Sequence, residues 1–349
     1  MKLAMALNYS GDFHADVTRV QELEKAGLDV VWVAEAYSYD AISQVGYLAA
    51  RTERLEIGTG IVNVYSRTPA LMAMTAAGCD FVSNGRFVLG LGASGPQVVE
   101  GFHGVPYDKP MTRIKEYIDI CRMTWRREPV VYDGEAVQVP LPAGKGTGLG
   151  KPLKLVNHPV RPRIPLVLAA LGPKNVALAA ELFDGWEPLF YLPEGADRAF
   201  GAALSEGNAL RDPARAPLEI YADTTVEITD DPDRETAALQ KVRAHLALYI
   251  GGMGAKGKNF YNDVAVRYGF EAAATKVQDL FLSGKKAEAA AALPEELVRG
   301  VSLIGDESRI KDRLRAMAET GVTTINATPL SPAYDDRLAT IRKLRELAG

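Results

Sequence analysis

The stretch LEIGTGIVNVYSRTPALMAMTAAGCDFVSNGRFVLGLG, from Leu55 to Gly92, decides the fold. Its two ends are short runs of apolar and β-branched residues, which are typical of buried strands. Between them lies a helical pattern that begins at Pro69, a residue type well suited to the first position of a helix. Strand, helix and strand in this order predict a βα unit, the repeating element of parallel sheets.

The same spacing recurs along the first part of the chain. Successive strand-like runs contain Leu3, Val30, Ile57 and Val88, which lie 27, 27 and 31 residues apart. Each interval has room for one strand, one helix and two short loops. Near-continuous apolar runs such as VVWVA predict strands that are buried on both faces.

Four further strand-like runs follow, at residues 164–170, 185–191, 218–228 and 322–329. Eight strands alternating with helices predict a (β/α)8 TIM barrel, and nothing in the pattern separates two cores. We therefore expect a single domain, residues 1–349, with insertions at residues 127–163 and 232–302. The first insertion is predicted to contain a hairpin about Asp133–Gly134, and the second to be mostly helical.

Composition and charge argue against two classes of partner. The 349 residues are 47% hydrophobic and 24% charged, as in ordinary globular proteins, and the formal net charge is −4. Without a basic field, the attraction that drives binding to nucleic acids and anionic membranes is missing. No apolar run approaches the roughly 18 residues of a membrane span. We expect a cytoplasmic protein whose partner is a small-molecule substrate, with neither nucleic acid nor membrane.

Cysteine and histidine usage predicts no metal site. The two cysteines, Cys79 and Cys121, lie in helical patterns, which indicates buried, inert thiols in a reducing compartment. The sequence contains neither an H-E-x-x-H nor a C-x-x-C motif, and its four histidines are scattered.

A glycine motif of dinucleotide-binding type occurs at Gly90, Gly92 and Gly95. In a nicotinamide site, this motif closes the first strand of a βαβ unit, and an acidic residue ends the next strand about 20 residues later. Here it closes the fourth strand, and the residues some twenty positions on, Lys115 and Glu116, lie within a helical pattern. The sequence therefore disfavours a nicotinamide site.

A second motif resembles a phosphate-binding loop, with Gly252, Gly257 and Lys258 at the required spacing. The next residue is Asn259, where Mg²⁺ binding would need a Ser or Thr hydroxyl. The segment also follows a helix instead of a strand, so we interpret it as a loop of the second insertion.

Chemistry in a (β/α)8 barrel lies at the C-terminal ends of the strands. The clearest of these ends read NYS (8–10), EAYSYD (35–40), GIVNVYS (60–66), ASGPQVVEGFHG (93–104) and ALGPKN (170–175). They carry few ionised groups and many glycines, apolar side chains and neutral hydrogen-bonding residues. Such a lining favours a flat heteroaromatic cofactor over hydrolysis by paired carboxylates.

These strand ends resemble those of the luciferase-like monooxygenase superfamily, and most closely its branch that uses the deazaflavin coenzyme F420. The resemblance rests on five segments in family order: AGLDVVWVAEAY (26–37), RLEIGTGIVNVYSRTPALMAMTAA (54–77), NGRFVLGLGASGPQVVEGFHG (84–104), AALGPKNVALAAELFDGW (169–186) and LIGDESRIKDRLRAMAETGVTTINATP (303–329). It implies a (β/α)8 barrel and hydride transfer between F420 and a small alkene, imine or alcohol. It also favours a homodimer, for which the apolar helix around Leu71–Cys79 is a candidate contact.

The resemblance further implies where the cofactor binds. A non-proline cis peptide at Gly60–Ile61 would back the deazaflavin ring, and backbone N–H groups of Ser94, Gly95, Gln97 and Val98 would face the cofactor. The loop after strand five lies at a helix N-terminus, which favours the phosphate of the cofactor tail. The expected cofactor-binding residues are Gly60, Ile61, Val62, Asn63, Ala93, Ser94, Gly95, Pro96, Gln97, Val98, Leu171, Gly172, Pro173 and Lys174.

The proton donor is not fixed by the resemblance. Where the sugar-phosphate dehydrogenase branch has a catalytic histidine after strand two, this chain has Ala36, so that mechanism does not transfer. The candidate acids near the strand ends are Tyr9, Glu35, Tyr37, Glu100 and His103. Tyr37 and His103 are the first choices because a neutral donor beside an apolar ring is easy to position, and Glu35 is the third.

Two alternatives stay open at this point. The same barrel hosts monooxygenases that use reduced FMN from a partner reductase together with oxygen. A flavin-binding or deazaflavin-binding barrel without catalysis is the other alternative, which the alanine at position 36 suggests.

Overall fold

The computed structural model describes residues 1–8, 11–254 and 256–349. The strands are β1 (Lys2–Ala6), β2 (Val30–Val33), β3 (Glu56–Thr59), β4 (Val62–Asn63), β5 (Phe87–Gly92), β6 (Tyr132–Asp133), β7 (Gln138–Val139), β8 (Leu166–Ala169), β9 (Gly185–Glu187), β10 (Glu219–Ile228), β11 (Ser302–Gly305) and β12 (Thr324–Pro329).

Helices separate most of these strands. They are α1 (Phe13–Lys25), α2 (Ala41–Ala49), α3 (Pro69–Val82), α4 (Pro96–Gly101), α5 (Pro110–Trp125), α6 (Pro173–Leu182), α7 (Pro193–Ala196), α8 (Ala202–Leu210), α9 (Pro232–Gly252), α10 (Phe260–Arg267), α11 (Glu271–Leu282), α12 (Lys286–Ala291), α13 (Glu295–Gly300), α14 (Glu307–Glu319) and α15 (Tyr334–Ala348). A π-helical turn, Asp197–Gly201, continues α7 into α8. No helix among the described ranges combines the length and apolar character needed to span a bilayer.

The chain forms two compact units. The N-terminal unit comprises Ala6–Glu24 and Asp29–Ala169, and the C-terminal unit comprises Met1–Met5, Lys25–Leu28 and Ala170–Gly349. The prediction of a single domain stays a prediction.

Parallel pairing organises the N-terminal unit. Strand β2 pairs with β3, β3 with β5 and β5 with β8, while the short strand β4 pairs with the end of β5. The residues of β2 and β5 are buried throughout, as the near-continuous apolar runs predicted. Because the strands are parallel, their C-terminal ends lie at one edge of this sheet.

The C-terminal unit contains the remaining parallel strands. Strand β10 pairs with β9 through its first residues and with β12 over most of its length, and β12 also pairs with β1. The second half of β10 pairs with β11, at Thr225–Ile228. Helices α9 to α13 fill the insertion between β10 and β11.

Each of the eight predicted strand segments contains a parallel strand, and the predicted hairpin is formed by β6 and β7. The second insertion is helical, as predicted. Strand β11 was not predicted, because it was included in the end of the insertion and the start of the next helical region. Its pairing with β10 shows that the insertion returns to the sheet before α14 begins.

Close packing surrounds two of the glycines that resembled a dinucleotide motif. A Cβ atom at Gly90 would lie 1.8 Å from the Thr59 carbonyl oxygen, and one at Gly92 would lie 2.6 Å from Cδ1 of Ile61. The Thr59 carbonyl is backbone and cannot move aside, so only glycine fits at position 90, whereas a side chain at position 92 would require the Ile61 side chain to shift. These glycines serve the packing of β5 against the β3–β4 segment, and a dinucleotide role is not needed to explain them.

The loop that resembled a phosphate-binding motif also has a structural explanation. Asn259 is the N-cap of α10, and its side-chain oxygen accepts hydrogen bonds from the backbone N–H groups of Tyr261 and Asn262. Its NH2 group donates to the carbonyls of Tyr249 and Ile250. The asparagine that breaks the phosphate-loop motif is therefore a helix cap.

Candidate functional site

The segment between β3 and β4 brings the first group of predicted cofactor-binding residues together. The Gly60–Ile61 peptide is cis, as predicted. The Gly60 N–H donates to the Val33 carbonyl at 2.9 Å, and Val62–Asn63 pair with Leu91–Gly92. Gly60, Ile61, Val62 and Asn63 therefore lie beside the C-terminal end of β5.

Asn63 connects this segment to His103. The Asn63 side-chain oxygen accepts the backbone N–H groups of Tyr65 at 2.9 Å and Ser66 at 2.8 Å. Its NH2 group is the end that faces His103, with Nδ2 3.3 Å from Nε2. A donor facing Nε2 requires a lone pair there, so the neutral imidazole carries its proton on Nδ1. His103 can donate a proton from Nδ1 while Nε2 is held by Asn63.

The loop after β5 leads into α4 through a strained residue. Ser94 has φ of 57°, in the left-handed region that non-glycine residues rarely adopt. Its carbonyl accepts a hydrogen bond from the Tyr107 hydroxyl at 3.3 Å. Gly95 then occupies the N-cap position of α4, and Pro96 is its first residue. Strain of this kind is concentrated at functional sites, where surrounding contacts maintain it.

One detail of the predicted N–H cradle needs correction. The Val98 N–H donates to the Gly95 carbonyl at 3.1 Å, so it is engaged within the first turn of α4. A helix start at Pro96 explains this, because the first turn closes on Gly95. Ala93, Ser94 and Gln97 lie in the same loop and helix start, as expected from the sequence.

Exposed aromatic rings flank this loop. Tyr37, which follows β2, is 73% exposed, and its ring centroid lies 6.4 Å from that of Phe102. Phe102 in turn contacts the His103 ring edge-on at 5.4 Å. Two of the three predicted catalytic residues, Tyr37 and His103, therefore both contact the ring of one exposed phenylalanine.

The third, Glu35, is held in an ion pair. Its carboxylate accepts two hydrogen bonds from Arg67, at 2.6 and 2.8 Å, and a third from the backbone N–H of Ala41. Arg67 also pairs with Asp40 at 2.8 Å. Both Glu35 and Arg67 are almost buried, at 10% and 11% side-chain exposure. Hydrogen bonding to Glu35 raises the pKa of Arg67, so the guanidinium stays charged.

The two remaining candidate acids, Tyr9 and Glu100, gain no support as proton donors. Tyr9 lies outside the described residues. The Glu100 carboxylate accepts the backbone N–H of Tyr107 at 3.1 Å, which fixes the turn after α4.

The thiols behave as predicted, since burial raises the pKa of both Cys79 and Cys121 to about 12 and keeps them unreactive.

In the C-terminal unit, the predicted phosphate loop has the form of an uncapped helix start. Gly172 is the N-cap of α6 without a side-chain hydrogen bond, and Pro173 is the first residue of the helix. The Leu171 carbonyl accepts a hydrogen bond from Arg267 at 2.7 Å, and the side chain of Lys174 is exposed. The helix N-terminus thus presents backbone N–H groups that no side chain of its own satisfies.

The sequence analysis missed an acid pair in the C-terminal unit. Glu187 ends β9 and Asp223 lies within β10, and both are half-buried. Asn326 of β12 donates to Glu187 Oε1 at 2.7 Å and hydrogen-bonds Asp223 as well. The sequence did carry a signal. The segments GWEPL, YADTT and TINAT each place one polar residue, Glu187, Asp223 or Asn326, within an apolar strand. Burying a polar side chain costs free energy unless it has a hydrogen-bond partner, so such residues are candidates for a functional site.

Burial decides the titration of this pair. It raises the pKa of Glu187 well above its ordinary range, and repulsion from Asp223 adds to the increase. It also raises the pKa of Asp223 to about 7, although the hydrogen bond from Asn326 acts in the opposite direction. The pair therefore carries a proton at neutral pH.

Aromatic side chains gather around Phe190, after β9. The Phe190 ring meets His245 at 5.5 Å, Tyr249 at 5.4 Å and Tyr261 at 6.3 Å, each nearly edge-on. Phe190 has φ of 59°, and the hydroxyl of the buried Tyr268 fixes this turn by donating to the Phe190 carbonyl at 3.0 Å. Burial lowers the pKa of His245, so its imidazole is neutral around pH 7.

The fold and the strand ends define the class of protein: a (β/α)8 barrel with uncharged, glycine-rich and aromatic loops after several strands. The family model for luciferase-like monooxygenases matches residues 1–324. The chain belongs to this family.

Relatives agree along almost the full length. A Mycobacterium tuberculosis (strain ATCC 25618 / H37Rv) protein, provisionally named coenzyme F420-dependent oxidoreductase Rv3520c, is 43% identical over 335 residues, which cover 94% of this chain and 95% of the relative. The 5,10-methylenetetrahydromethanopterin reductase of Archaeoglobus fulgidus is 28% identical, with 90% and 89% covered. The solved coenzyme F420-dependent tetrahydromethanopterin reductase from Methanopyrus kandleri is similar in fold, with a TM-score of 0.78 at 20% identity, over 98% of this chain and 97% of the other.

Proposed function

We propose that the protein is an F420-dependent oxidoreductase, which transfers a hydride between the deazaflavin and a small organic substrate of alkene, imine or alcohol type. The observation that carries the proposal is the 43% identity, over 94% of the chain, to a relative named for this coenzyme. The strand-end residues fit the group, because a flat tricyclic ring is best held by backbone contacts and apolar surfaces.

Two parts of the N-terminal unit would hold the ring. Residues 60–63 and residues 93–98 follow two neighbouring strands and contain no charged side chain. The left-handed conformation of Ser94 orients the loop after β5, and Tyr107 stabilises it. When bound, the deazaflavin supplies the hydride chemistry, and the chain supplies binding and orientation.

The phosphate of the coenzyme would bind at the start of α6. Leu171, Gly172, Pro173 and Lys174 form this segment, in which the helix dipole and free N–H groups favour an anion. Lys174 adds a positive charge on an exposed side chain.

His103 and Tyr37 are the proposed groups that handle protons in the N-terminal unit. His103 is oriented by Asn63, and its Nδ1–H is the donor that the tautomer leaves available. Glu35 is a positioning residue in this proposal, because Arg67 and the Ala41 N–H occupy its carboxylate. It fixes the loop after β2 that carries Tyr37.

The substrate would be planar or partly aromatic. The support lies in the aromatic side chains around Phe190, which offer stacking surfaces and few charges. The same rings are less suited to a sugar phosphate, which would need cations and many hydrogen-bond donors.

We also propose a homodimer that forms through α3. Helix α3 contains a single charged residue, Asp80, which is buried against Arg161. Its exposed face carries Leu71, Met74 and Phe81, and a groove of about 450 Å³ separates it from residues 155–159. An exposed helix face without charge is typical of an interface, and a second copy offers a matching apolar surface.

A titration tests the cofactor. The purified protein is titrated with F420 and, separately, with FMN, and the absorbance and fluorescence of each ligand report binding. We expect F420 to bind and FMN to bind at least tenfold more weakly. Lys174→Glu should weaken F420 binding by about tenfold through repulsion of the phosphate, whereas Lys151→Glu, a charge reversal elsewhere on the surface, should not.

Turnover tests the reaction. Reduced F420 is mixed with cyclohex-2-enone, with a cyclic imine and with acetone, and the return of the visible band of oxidised F420 is followed. Oxidation that depends on one of these substrates supports the proposal. Tight F420 binding with silence across the panel would support the barrel that binds without catalysis, and oxygen-dependent turnover with reduced FMN would support a monooxygenase.

A further inference from the structure

Tyr107 connects the two segments of the N-terminal unit that are proposed to hold the coenzyme ring. Its hydroxyl donates to the Ser94 carbonyl at 3.3 Å, in the loop after β5. Its ring stacks on that of Tyr65, with centroids 5.3 Å apart and planes inclined by 29°. The Tyr65 backbone N–H in turn donates to the Asn63 side chain at 2.9 Å. One stacked pair of rings therefore joins the end of β4 to the loop after β5.

Tyr65 is the fixed member of this stacked pair. Its buried side chain donates a hydrogen bond from the hydroxyl to the Asp108 carbonyl at 2.7 Å. The guanidinium of Arg113 lies over the Tyr65 ring, 4.8 Å from its centroid, and pairs with the Asp108 carboxylate at 3.0 Å. Burial raises the pKa of Tyr65 to about 12, so the hydroxyl remains a donor at neutral pH. These contacts hold the surface against which Tyr107 packs.

Ser94 is the residue that needs support. Its φ of 57° lies in the left-handed region, which is unfavourable for a residue with a Cβ atom. Rotation of Ser94 to negative φ would relieve this strain and send the loop in another direction. The hydrogen bond from Tyr107 opposes that rotation, because its acceptor is the carbonyl of the strained residue itself.

We infer that Tyr107 is a positioning residue for the coenzyme, which keeps the loop after β5 in its binding conformation before the coenzyme arrives. This inference rests on the proposed function and deepens it. A protein whose binding-competent state is only partly populated binds its ligand more weakly, in proportion to that population. Loss of the Tyr107 hydroxyl lowers the population of the left-handed state of Ser94, and the affinity for F420 falls with it. This effect requires no contact between Tyr107 and the coenzyme.

The first test uses the protein without coenzyme. Ala93 and Ser94 form the only Ala-Ser pair in the sequence, so carbonyl-¹³C alanine and ¹⁵N serine, introduced by cell-free synthesis, give one cross-peak in a carbonyl–nitrogen correlation spectrum. We expect Tyr107→Phe, which keeps the stacked ring, to shift or split this peak. Tyr132→Phe is the matched control, because the Tyr132 hydroxyl bonds to Asp119 at 3.0 Å and should leave the peak unchanged. An unchanged peak in Tyr107→Phe would overturn the inference.

The second test measures F420 affinity by fluorescence titration in a double-mutant cycle. Tyr107→Phe should weaken binding roughly fivefold in the wild-type background, which corresponds to the loss of one hydrogen bond. In a Ser94→Gly background, whatever its own affinity, the same change should weaken binding less than about twofold, because glycine adopts positive φ without strain. The thermal unfolding temperature of Tyr107→Phe should stay within about 3 °C of the wild type, which separates positioning from a general loss of stability.

The outcomes distinguish this inference from the proposed function. Equal effects of Tyr107→Phe in the two backgrounds, or no effect in the wild-type background, would overturn the positioning role while leaving the proposed function intact. Failure of the wild type to bind F420 would overturn both, whatever the cross-peak of Ser94 shows. A fivefold loss that disappears in the Ser94→Gly background, together with a changed cross-peak, would support the inference.

Discussion

The side-chain amide of Asn63 faces His103 across 3.3 Å, and two backbone N–H groups fix which end of the amide points to the ring. The residues are 40 positions apart: Asn63 ends β4, and His103 lies in the turn after α4. This contact determines which imidazole nitrogen can donate a proton, and it gives the first prediction.

In the wild type, His103 should be protonated on Nδ1 and unprotonated on Nε2. Asn63→Asp keeps the oxygen that accepts the Tyr65 and Ser66 N–H groups but replaces the donor by an acceptor. The proton should then move to Nε2. Correlation spectra of ¹⁵N-histidine-labelled protein distinguish the two tautomers, and a wild-type spectrum with protonated Nε2 would refute the assignment.

Arg67 should be among the costliest single substitutions in the N-terminal unit. Arg67→Met leaves the nearly buried Glu35 carboxylate without its partner, and we expect a loss of about 3 kcal/mol in the free energy of unfolding. Arg67→Lys should recover part of this loss, since it keeps the charge but not the double hydrogen bond. Urea denaturation measures both.

Arg315→Met provides the control, because Arg315 and Asp312 form an exposed ion pair at 69% and 63% exposure. Its effect should stay below about 1 kcal/mol. Equal losses for the two arginines would contradict the assignment of Arg67 as a structural partner of Glu35.

Gly90 should tolerate no side chain. A methyl group at this position would overlap the Thr59 carbonyl, which belongs to the backbone and cannot move aside, so Gly90→Ala should cost at least about 3 kcal/mol or prevent folding. Gly46, within α2, has open space around its Cα, and Gly46→Ala should stabilise the protein by about 0.5–1 kcal/mol. Thermal unfolding of the two variants should therefore shift in opposite directions.

The acid pair predicts a stability that depends on pH. The pKa of Asp223 is about 7 in the folded protein, against an ordinary value of 3.8, so the unfolded chain releases this proton at lower pH. Stability contributed by the protonated form is therefore lost as pH rises from about 4 to about 7 and changes little above that. Asp223→Asn removes this dependence, and its stability relative to the wild type should rise by roughly 2–4 kcal/mol over the interval. Urea denaturation at pH 4.5, 6 and 8 measures it, and parallel pH curves for the two proteins would contradict the raised pKa.

The proposed dimer predicts a change in mass. Phe81 is 69% exposed on α3 and lines the groove, so Phe81→Glu should give a monomer in sedimentation velocity experiments. Leu210 at the end of α8 is 67% exposed, and Leu210→Glu should leave the dimer intact. A monomeric wild type, or a dimer that survives Phe81→Glu, would exclude this face as the interface.

Local sequence patterns predicted most of the strands and helices of the fold. Each of the eight hydrophobic runs predicted as strands contains a parallel strand, and Pro69 marked the first residue of α3. Strand β11 was missed because SLIG is short and follows a helical segment, so its strand character depends on pairing with β10, which is more than seventy residues away.

The site was less predictable, because its contacts join distant residues. The sequence indicated Glu35 and His103 as acids, but their partners Arg67 and Asn63 are set by strand register and loop packing. The Glu187–Asp223 pair carried a readable signal, since an ionisable residue inside an apolar strand is costly without a partner or a role. Polar residues inside apolar strands, and not only the residues at strand ends, therefore indicate candidate sites in this sequence.

The binding of F420 tests the central claim most directly. In an equilibrium titration, the account predicts saturable binding of F420 to one site per chain, with an equal concentration of FMN displacing no more than about a tenth of it. Saturable FMN binding that F420 cannot displace would contradict it.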